Sequence, residues 1–183
     1  MVMKLILQTL WLFLPALLAN MTPPLVKHLN VLNSPVDFGL MFRGKRLLGQ
    51  NKTIRGLVFG VFIGIIVASL QTFLFRFNSF QWLSIINYSE INFILLGGLL
   101  GFGALIGDLV ESFVKRQFDI KPGKPFIPFD QIDFLIGAIV FLLFIFNPGF
   151  KVMVTLLVVG IGLHFLTNYI GYLIGHHKTI FGW

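Results

Sequence analysis

The run GLVFGVFIGIIVASLQTFLF, residues 56 to 75, contains no charged residue. Its length matches the ~20 apolar residues that a membrane-spanning helix needs. Further uncharged runs lie at residues 5–19, 91–107, 134–149 and 152–175, and the whole chain is 56% hydrophobic but only 11% charged. A soluble domain has about 25% charged residues. The sequence therefore predicts an all-α integral membrane protein with five transmembrane helices, with residues 1–183 forming a single membrane-embedded domain.

Three of these runs, at residues 5–19, 91–107 and 134–149, are shorter than a full span. We expect polar flanking residues to complete their helices, or the helices to lie partly within protein or a thinned bilayer. The first run has a second interpretation, a secretory signal peptide, because Lys4 precedes it and Ala16 and Ala19 lie at its end. A single lysine makes a weak amino-terminal signal, so a spanning helix is the favoured interpretation.

Basic residues are concentrated in the first and third connections between the predicted spans, and only Lys4, Arg76 and Lys151 fall on the other side. The positive-inside rule then predicts the N-terminus outside, the C-terminus inside and two charged cytoplasmic loops, in a multi-pass protein of the cell membrane. The net charge of +7 indicates anionic partners such as lipid headgroups or nucleotides. We expect the lipid bilayer as a partner and no nucleic acid.

The third connection belongs to the stretch GDLVESFVKRQFDIKPGKPFIPFDQID, residues 107–133, which holds five of the seven carboxylates. If the third helix continues past Gly107, Asp108, Ser112 and Lys115 share one face, flanked by Glu111. Prolines then end the helix, and the next helix is predicted to begin at residue 128. This arrangement gathers acid, hydroxyl and base at one end of the bundle.

Asp130 and Asp133 fall near the start of that next helix. Carboxylate oxygens bind Mg²⁺ together with substrate phosphates, while Lys115 and Arg116 neutralise the remaining phosphate oxygens. Each pair also has an ordinary reading, since acids favour a helix N-terminus and bases anchor a cytoplasmic helix end. The combination of acids and bases at one membrane face favours a site for a metal and a polyphosphate.

The residues of this stretch, together with LPALLAN (14–20), PVDFG (35–39), RLLGQNKTIRG (46–56) and LHFLTNYIGYLIG (163–175), resemble the CDP-archaeol synthase family. The resemblance covers nearly the whole chain and implies a five-helix membrane enzyme. It implies that CTP and Mg²⁺ are used to convert an isoprenoid ether lipid phosphate, 2,3-bis-(O-geranylgeranyl)-sn-glycerol 1-phosphate, to CDP-archaeol, with release of pyrophosphate. The enzyme would then be a nucleotidyltransferase of phospholipid biosynthesis.

The expected catalytic residues are Asp108, Lys115, Arg116, Asp130 and Asp133, and the metal ligands among them are Asp130, Asp133 and Asp108. Contacts to CTP and its phosphates are expected from Asn51, Lys52, Thr53, Arg55, Ser112, Lys121 and Lys124. Glu111 and Asp119 are expected to be solvated charges outside the metal site.

Several alternatives remain open. The signature of phosphatidate cytidylyltransferases is similar at Ser112, Lys115, Arg116 and Lys121, but Gln131 stands where that family has arginine. An enzyme making CDP-diacylglycerol is therefore the first alternative, and a small membrane transporter is the second, although no internal repeat supports it. Glycines spaced along the second and third runs predict close helix packing within the chain, with a homodimer interface as the less favoured reading.

Overall fold

The computed structural model describes residues 1–121, 124 and 126–173. Over these residues the chain forms six helices and one small hairpin. The elements, in chain order, are α1 (Val2–Leu25), β1 (Met41–Phe42), β2 (Lys45–Arg46), α2 (Ile54–Leu74), α3 (Asn78–Gln81), α4 (Phe93–Gln117), α5 (Phe129–Leu142) and α6 (Phe150–Leu173). The prediction of a helical membrane protein is thus confirmed.

The five long helices correspond to the five predicted runs. Helices α1 and α4 have 24 and 25 residues and extend beyond their uncharged runs into polar flanks, as expected. Among the described residues, α1, α2 and α4 are long and apolar enough to cross a membrane. Helix α5 has 14 residues and stops at Leu142, so its helical length of about 21 Å is short of a full hydrocarbon core.

Helix α4 lies at the centre of the bundle, where it packs against α1, α2 and α5, and α6 packs on α5. Leu96 and Leu100 of α4 are fully buried in a core shared with Phe13, Leu135 and Leu156. Burial of each such side chain stabilises the fold by about 1.5–3 kcal/mol relative to water, although lipid replaces water as the reference for much of this surface.

Glycines set the close approach of α4 to its neighbours. A Cβ at Gly97 would lie 2.7 Å from the Cα of Ile65 in α2, and one at Gly137 of α5 would lie 2.9 Å from the amide nitrogen of Gly107. Backbones can approach this closely only where a side chain is absent. The regularly spaced glycines pack against neighbouring helices of the same chain, as the favoured reading of their spacing predicts; they are Gly56, Gly60 and Gly64 of α2 and Gly97, Gly101 and Gly103 of α4.

The first connection, residues 26–53, folds back on itself and contacts the far end of α4. The Val36 amide donates to the Lys52 carbonyl over 2.8 Å, joining the middle of this segment to its end. Lys45 Nζ donates to the Gln117 carbonyl over 2.8 Å and to Asp119 Oδ2 over 2.5 Å, and the ring of Phe42 packs against that of Phe113. The two charged connections thus lie at the same end of the bundle.

Candidate functional site

A polar cavity of about 630 Å³ lies between the first connection and the adjoining ends of α4 and α5. Helix α4 continues for ten residues beyond Gly107, as its spacing predicts, and α5 begins at Phe129. The described lining comprises Arg46, Leu48, Gly49, Gln50, Asn51 and Lys52 from the connection, Asp108, Glu111, Ser112, Lys115 and Arg116 from α4, and Asp130 and Asp133 from α5.

Three carboxylates meet in this cavity. Asp108, Glu111 and Asp133 each offer an oxygen, and these oxygens all lie within 4.8 Å of one another. Glu111 is only 8% exposed, so its charge has little water to stabilise it. Like charges this close repel one another, and either a bound cation or a proton relieves the repulsion. Three carboxylate oxygens form a donor set that suits Mg²⁺, which prefers oxygen ligands.

Two lysines contact the acids, one from the first connection and one from α4. Lys52 Nζ donates to both oxygens of Asp108, over 2.7 and 2.6 Å. Lys115 Nζ lies 2.9 Å from Glu111 Oε1 and 2.7 Å from Asp130 Oδ1, and all three of these side chains are at least 87% buried. The site therefore carries fixed charges of both signs, as the binding of a metal and a polyphosphate requires.

The loop wall of the cavity is organised by Asp37, whose side chain is 0% exposed. It accepts hydrogen bonds from Arg46 Nε and Nη2, each over 3.1 Å, and from the amides of Gly39, Leu48 and Gly49 over 3.0–3.1 Å. The hydrogen bonds from Arg46 hold the pKa of Asp37 well below its ordinary value, against the opposing effect of burial, and the backbone amides lower it further. This carboxylate thus stays charged and fixes residues 46–49 along the cavity.

A second, apolar groove of about 650 Å³ runs between α4 and α5. Its apolar walls are formed by Ile106, Val110 and Val114 from α4, by Phe118 and Phe126 from the third connection, and by Phe129, Ile132, Ile136, Val140 and Phe141 from α5. Glu111 and Asp133 line both the groove and the polar cavity. An apolar chain in the groove and a charged group in the cavity can therefore meet at these two acids.

Known proteins are similar to this chain in both sequence and architecture. Residues 2–181 match the family model described as "CarS-like: CDP-archaeol synthase". The CDP-archaeol synthase of Methanocaldococcus jannaschii is 34% identical over 94% of this chain and 95% of its own length. That of Thermococcus kodakarensis is 39% identical over 90% of each chain. The chain belongs to the CDP-archaeol synthase family.

A solved structure supports the same placement within this family. It is described as "Structural insight into an intramembrane enzyme for archaeal membrane lipids biosynthesis", and it superposes with a TM-score of 0.67 at 31% sequence identity. The match covers 87% of this chain and 91% of the other. A CDP-archaeol synthase is an enzyme, and the polar cavity is the candidate for its active site.

Most of the expected site residues line the cavity. Asn51, Lys52, Asp108, Ser112, Lys115, Arg116, Asp130 and Asp133 are all in its described wall. Ser112 is 5% exposed, and the Nε of Arg116 is buried with no hydrogen-bond partner among the described residues. These side chains therefore share one cavity, as their assignment to a common site predicts.

The structure corrects the expectation for Glu111. It is buried among the acids instead of solvated, because α5 packs against the face of α4 that carries it. Asp130, an expected metal ligand, is not part of the three-acid group. It accepts from the Phe126 amide over 2.9 Å and pairs with Lys115. Asp119 is exposed as expected, with 76% of its side chain accessible, and it pairs with Lys45.

Four expected phosphate-binding residues lie away from the described cavity wall. Thr53 caps α2 by accepting from the Gly56 amide over 3.3 Å. Arg55 is 7% exposed and donates to the Leu29 carbonyl and to Asn33 Oδ1, so it holds the first connection together, away from the described cavity wall. Lys121 and Lys124 are exposed in the third connection.

Sequence reasoning missed Asp37 and Gln50, which shape and line the loop wall. The position of Asp37 was a usable signal, because a lone acid in a strongly basic connection needs a charged partner. Glu111 also carried a signal, since it lies three residues after Asp108 and four before Lys115 and so shares their helix face.

Proposed function

We propose that this chain transfers CMP from CTP to 2,3-bis-(O-geranylgeranyl)-sn-glycerol 1-phosphate, giving CDP-archaeol and pyrophosphate. The observation that carries the proposal is the junction of the polar cavity with the apolar groove at Glu111 and Asp133. A lipid phosphate needs such a junction, because its chains must stay in an apolar medium while its headgroup meets a charged nucleotide. Membership of the CDP-archaeol synthase family supports the same reaction.

The reaction requires little covalent chemistry from the protein. A lipid phosphate oxygen attacks the α-phosphorus of CTP, a new P–O bond forms, and the bond to the β-phosphate breaks to release pyrophosphate. The attacking monoester is already ionised near neutral pH, since its second pKa is about 6. No general base is needed, and the protein contributes positioning and charge.

Mg²⁺ is the cofactor we propose, held by Asp108, Glu111 and Asp133. The donor set supports this choice, because all three ligands are oxygens and they lie within 4.8 Å of one another. When bound, the ion would offset charge on the triphosphate and on the leaving pyrophosphate. This assignment replaces Asp130 by Glu111 in the predicted ligand set.

Lys115 and Arg116 are proposed to contact the phosphates. Lys115 is oriented by Glu111 and Asp130, and the buried Nε of Arg116 lacks a partner in the described part of the chain. A guanidinium donates to two phosphate oxygens at once and is well suited to this task. Asp130 then acts as a positioning residue for Lys115.

The apolar chains of the lipid are proposed to lie in the groove between α4 and α5. Its walls are aliphatic and aromatic, and the exposed Val110, Ile136 and Val140 along it face the surrounding lipid. An isoprenoid chain can enter such a groove from the bilayer without crossing water. The phosphate end then reaches Glu111 and Asp133.

The test is cytidylyl transfer by the purified full-length protein in detergent, with CTP labelled at the α-phosphate, Mg²⁺ and either the isoprenoid ether or a diacyl lipid phosphate. We expect labelled CDP-lipid with the ether lipid. We also expect at least about a hundredfold loss with Asp133→Asn, the usual scale for a misplaced reacting group. Asp119→Asn, at an exposed acid of the same end, should retain activity.

Absence of CDP-lipid with every acceptor would refute the enzyme assignment, whereas full activity of Asp133→Asn would refute the proposed role of Asp133 as a metal ligand. Preference for the diacyl acceptor would instead support a phosphatidate cytidylyltransferase activity.

For the membrane arrangement, we propose five spans across the cell membrane with the N-terminus outside, all within one domain of residues 1–183. The chain has no cysteine, so single cysteines report location directly. With a membrane-impermeant maleimide on intact cells, Gln81→Cys in the second connection should react, whereas Lys121→Cys in the third should react only after lysis. The reverse pattern would overturn the orientation.

A further inference from the structure

The Lys52 ammonium is hydrogen-bonded to the carboxylate of Asp108, which is one of the three grouped acids. Its Nζ is 2.7 Å from Oδ1 and 2.6 Å from Oδ2. Both oxygens that Asp108 could offer to a metal are therefore already hydrogen-bonded to a cation. The two side chains are about one-quarter exposed, 26% for Lys52 and 25% for Asp108, so water can reach the pair when they separate.

A divalent ion bound by the same Asp108 oxygens would stand next to this ammonium. Two cations a few ångströms apart repel each other, and the repulsion is strong at a partly buried site. Lys115, which is held by Glu111 and Asp130, is a further positive charge near the acids and adds to this repulsion. Metal coordination by Asp108 and the Lys52–Asp108 hydrogen bonds therefore oppose one another.

The Lys52 side chain can leave Asp108 without any change of the loop. Its backbone is anchored by the hydrogen bond from the Val36 amide, and the neighbouring Thr53 caps α2. Movement is confined to the four-carbon side chain, whose ammonium is a compact charge on a flexible stem. Because Lys52 already lines the cavity, the freed ammonium can reach a triphosphate bound there.

We propose that Lys52 is a displaceable cation, which neutralises Asp108 in the free enzyme and transfers to the nucleotide phosphates when the metal enters. The inference rests on the proposed function, since it requires a polyphosphate in the cavity. Its consequence is coupled binding: the free metal alone binds weakly, because it would leave the ammonium without an anion, and the metal–nucleotide complex binds well.

The test uses Mn²⁺ as the probe on the purified full-length protein in detergent, without nucleotide, with free Mn²⁺ followed by electron paramagnetic resonance. Removing the competing charge in Lys52→Met or Lys52→Gln should tighten Mn²⁺ binding at least about tenfold, since a unit charge ~4 Å away at an effective dielectric constant near 20 has a larger effect. In the same variants, CTP measured without lipid should bind more weakly.

Two matched controls separate competition from general damage. Lys45→Met removes another lysine that pairs with an aspartate, Asp119, outside the described cavity wall, and it should leave Mn²⁺ binding unchanged. Lys52→Arg keeps a cation on Asp108 and should bind Mn²⁺ no more tightly than the wild type. If the neutral variants unfold, tighter binding by Lys52→Arg still overturns the proposal.

Equal or weaker Mn²⁺ binding by folded Lys52→Met would overturn the proposal and would mean that Lys52 and the metal share the site. Cytidylyl transfer by the wild type distinguishes failure of the Lys52 proposal from failure of the proposed reaction. Active wild type with no tightening refutes only the role of Lys52. Tightening in a protein that makes no CDP-lipid refutes the proposed reaction and leaves the competition between the two cations established.

Discussion

Replacing Gly107 by alanine should separate α4 from α5 at the acid group. A Cβ at this position would lie 2.8 Å from the carbonyl carbon of Asp133 and 3.0 Å from the Cα of Phe134, and closer still to the Asp133 carbonyl oxygen. Carbon atoms in contact normally lie ~3.5–4.0 Å apart. Because the obstructing atoms belong to backbone, no side-chain rotation can make room. The two helices must therefore move apart by about 1 Å.

This displacement has two measurable consequences. Overpacking of this kind costs about 1–3 kcal/mol of stability, and a displacement of about 1 Å at a reacting centre lowers the rate about a hundredfold. Asp133 moves away from Asp108 and Glu111, whose oxygens now all lie within 4.8 Å of one another. The loss of activity should therefore appear mainly in the turnover number at saturating CTP and lipid.

Gly98→Ala is the matched control, because it makes the same substitution in the same helix. A Cβ there meets nothing within 4 Å, and alanine favours helix over glycine by about 1 kcal/mol. We expect wild-type turnover and an equal or higher thermal midpoint in detergent. Should Gly107→Ala keep both wild-type turnover and midpoint, the contact between α4 and α5 does not hold the acids in place. Equal losses in both variants would refute the assignment of the effect to α5.

Three further changes test other parts of the site. Asp37→Asn should lower the free energy of unfolding by about 1–3 kcal/mol, since buried amides and a guanidinium lose acceptors, and should raise the KM for CTP more than it lowers kcat. The pKa of Asp37 is held below its ordinary value. In the wild type, the contribution of the charged Asp37 to the free energy of unfolding should therefore persist above about pH 4 and be lost only at lower pH. Val110→Trp should fill the groove and lower kcat/KM for the lipid about tenfold, the equivalent of two displaced methylenes. The KM for CTP should not change, and Val158→Trp, at a valine of α6 that is 65% exposed, serves as control. Lys115→Met should destabilise the fold by about 3 kcal/mol, because its two largely buried acidic partners lose their shared cation; thermal unfolding checks this, and an unchanged midpoint would contradict it.

The helical architecture could be predicted because its cause is local in the sequence. An uncharged run of sufficient length has only one stable spanning form in lipid, a helix with its backbone groups paired internally. The continuation of α4 to Gln117 was also predictable, because Asp108, Ser112 and Lys115 share a face only if the helix persists. Asp108, Ser112 and Lys115 were therefore placed correctly on one face, which lines the cavity.

The exposure of individual charges could not be predicted in the same way. Glu111 and Asp119 both read as solvated acids near the end of α4, yet one is buried and the other largely exposed. The difference arises from α5, which covers only part of the α4 surface. The position of Arg55 could not be predicted for a similar reason, because the acceptors of its hydrogen bonds, the Leu29 carbonyl and Asn33 Oδ1, belong to a connection whose folding the sequence pattern does not reveal.

The two walls of the cavity differ in the kind of movement they permit. The acids are carried by α4 and α5, which touch backbone to backbone at Gly107 and Gly137, so their mutual distances change only if whole helices move. Lys52, in contrast, extends a flexible side chain from a loop fixed by Asp37 and the Val36 amide. A rigid anionic wall facing a movable cation is suited to exchanging one positive charge for another. Substitutions in the helix contact should therefore reduce turnover, whereas substitutions of Lys52 should change the order and affinity of binding, and kinetic measurements can separate these effects.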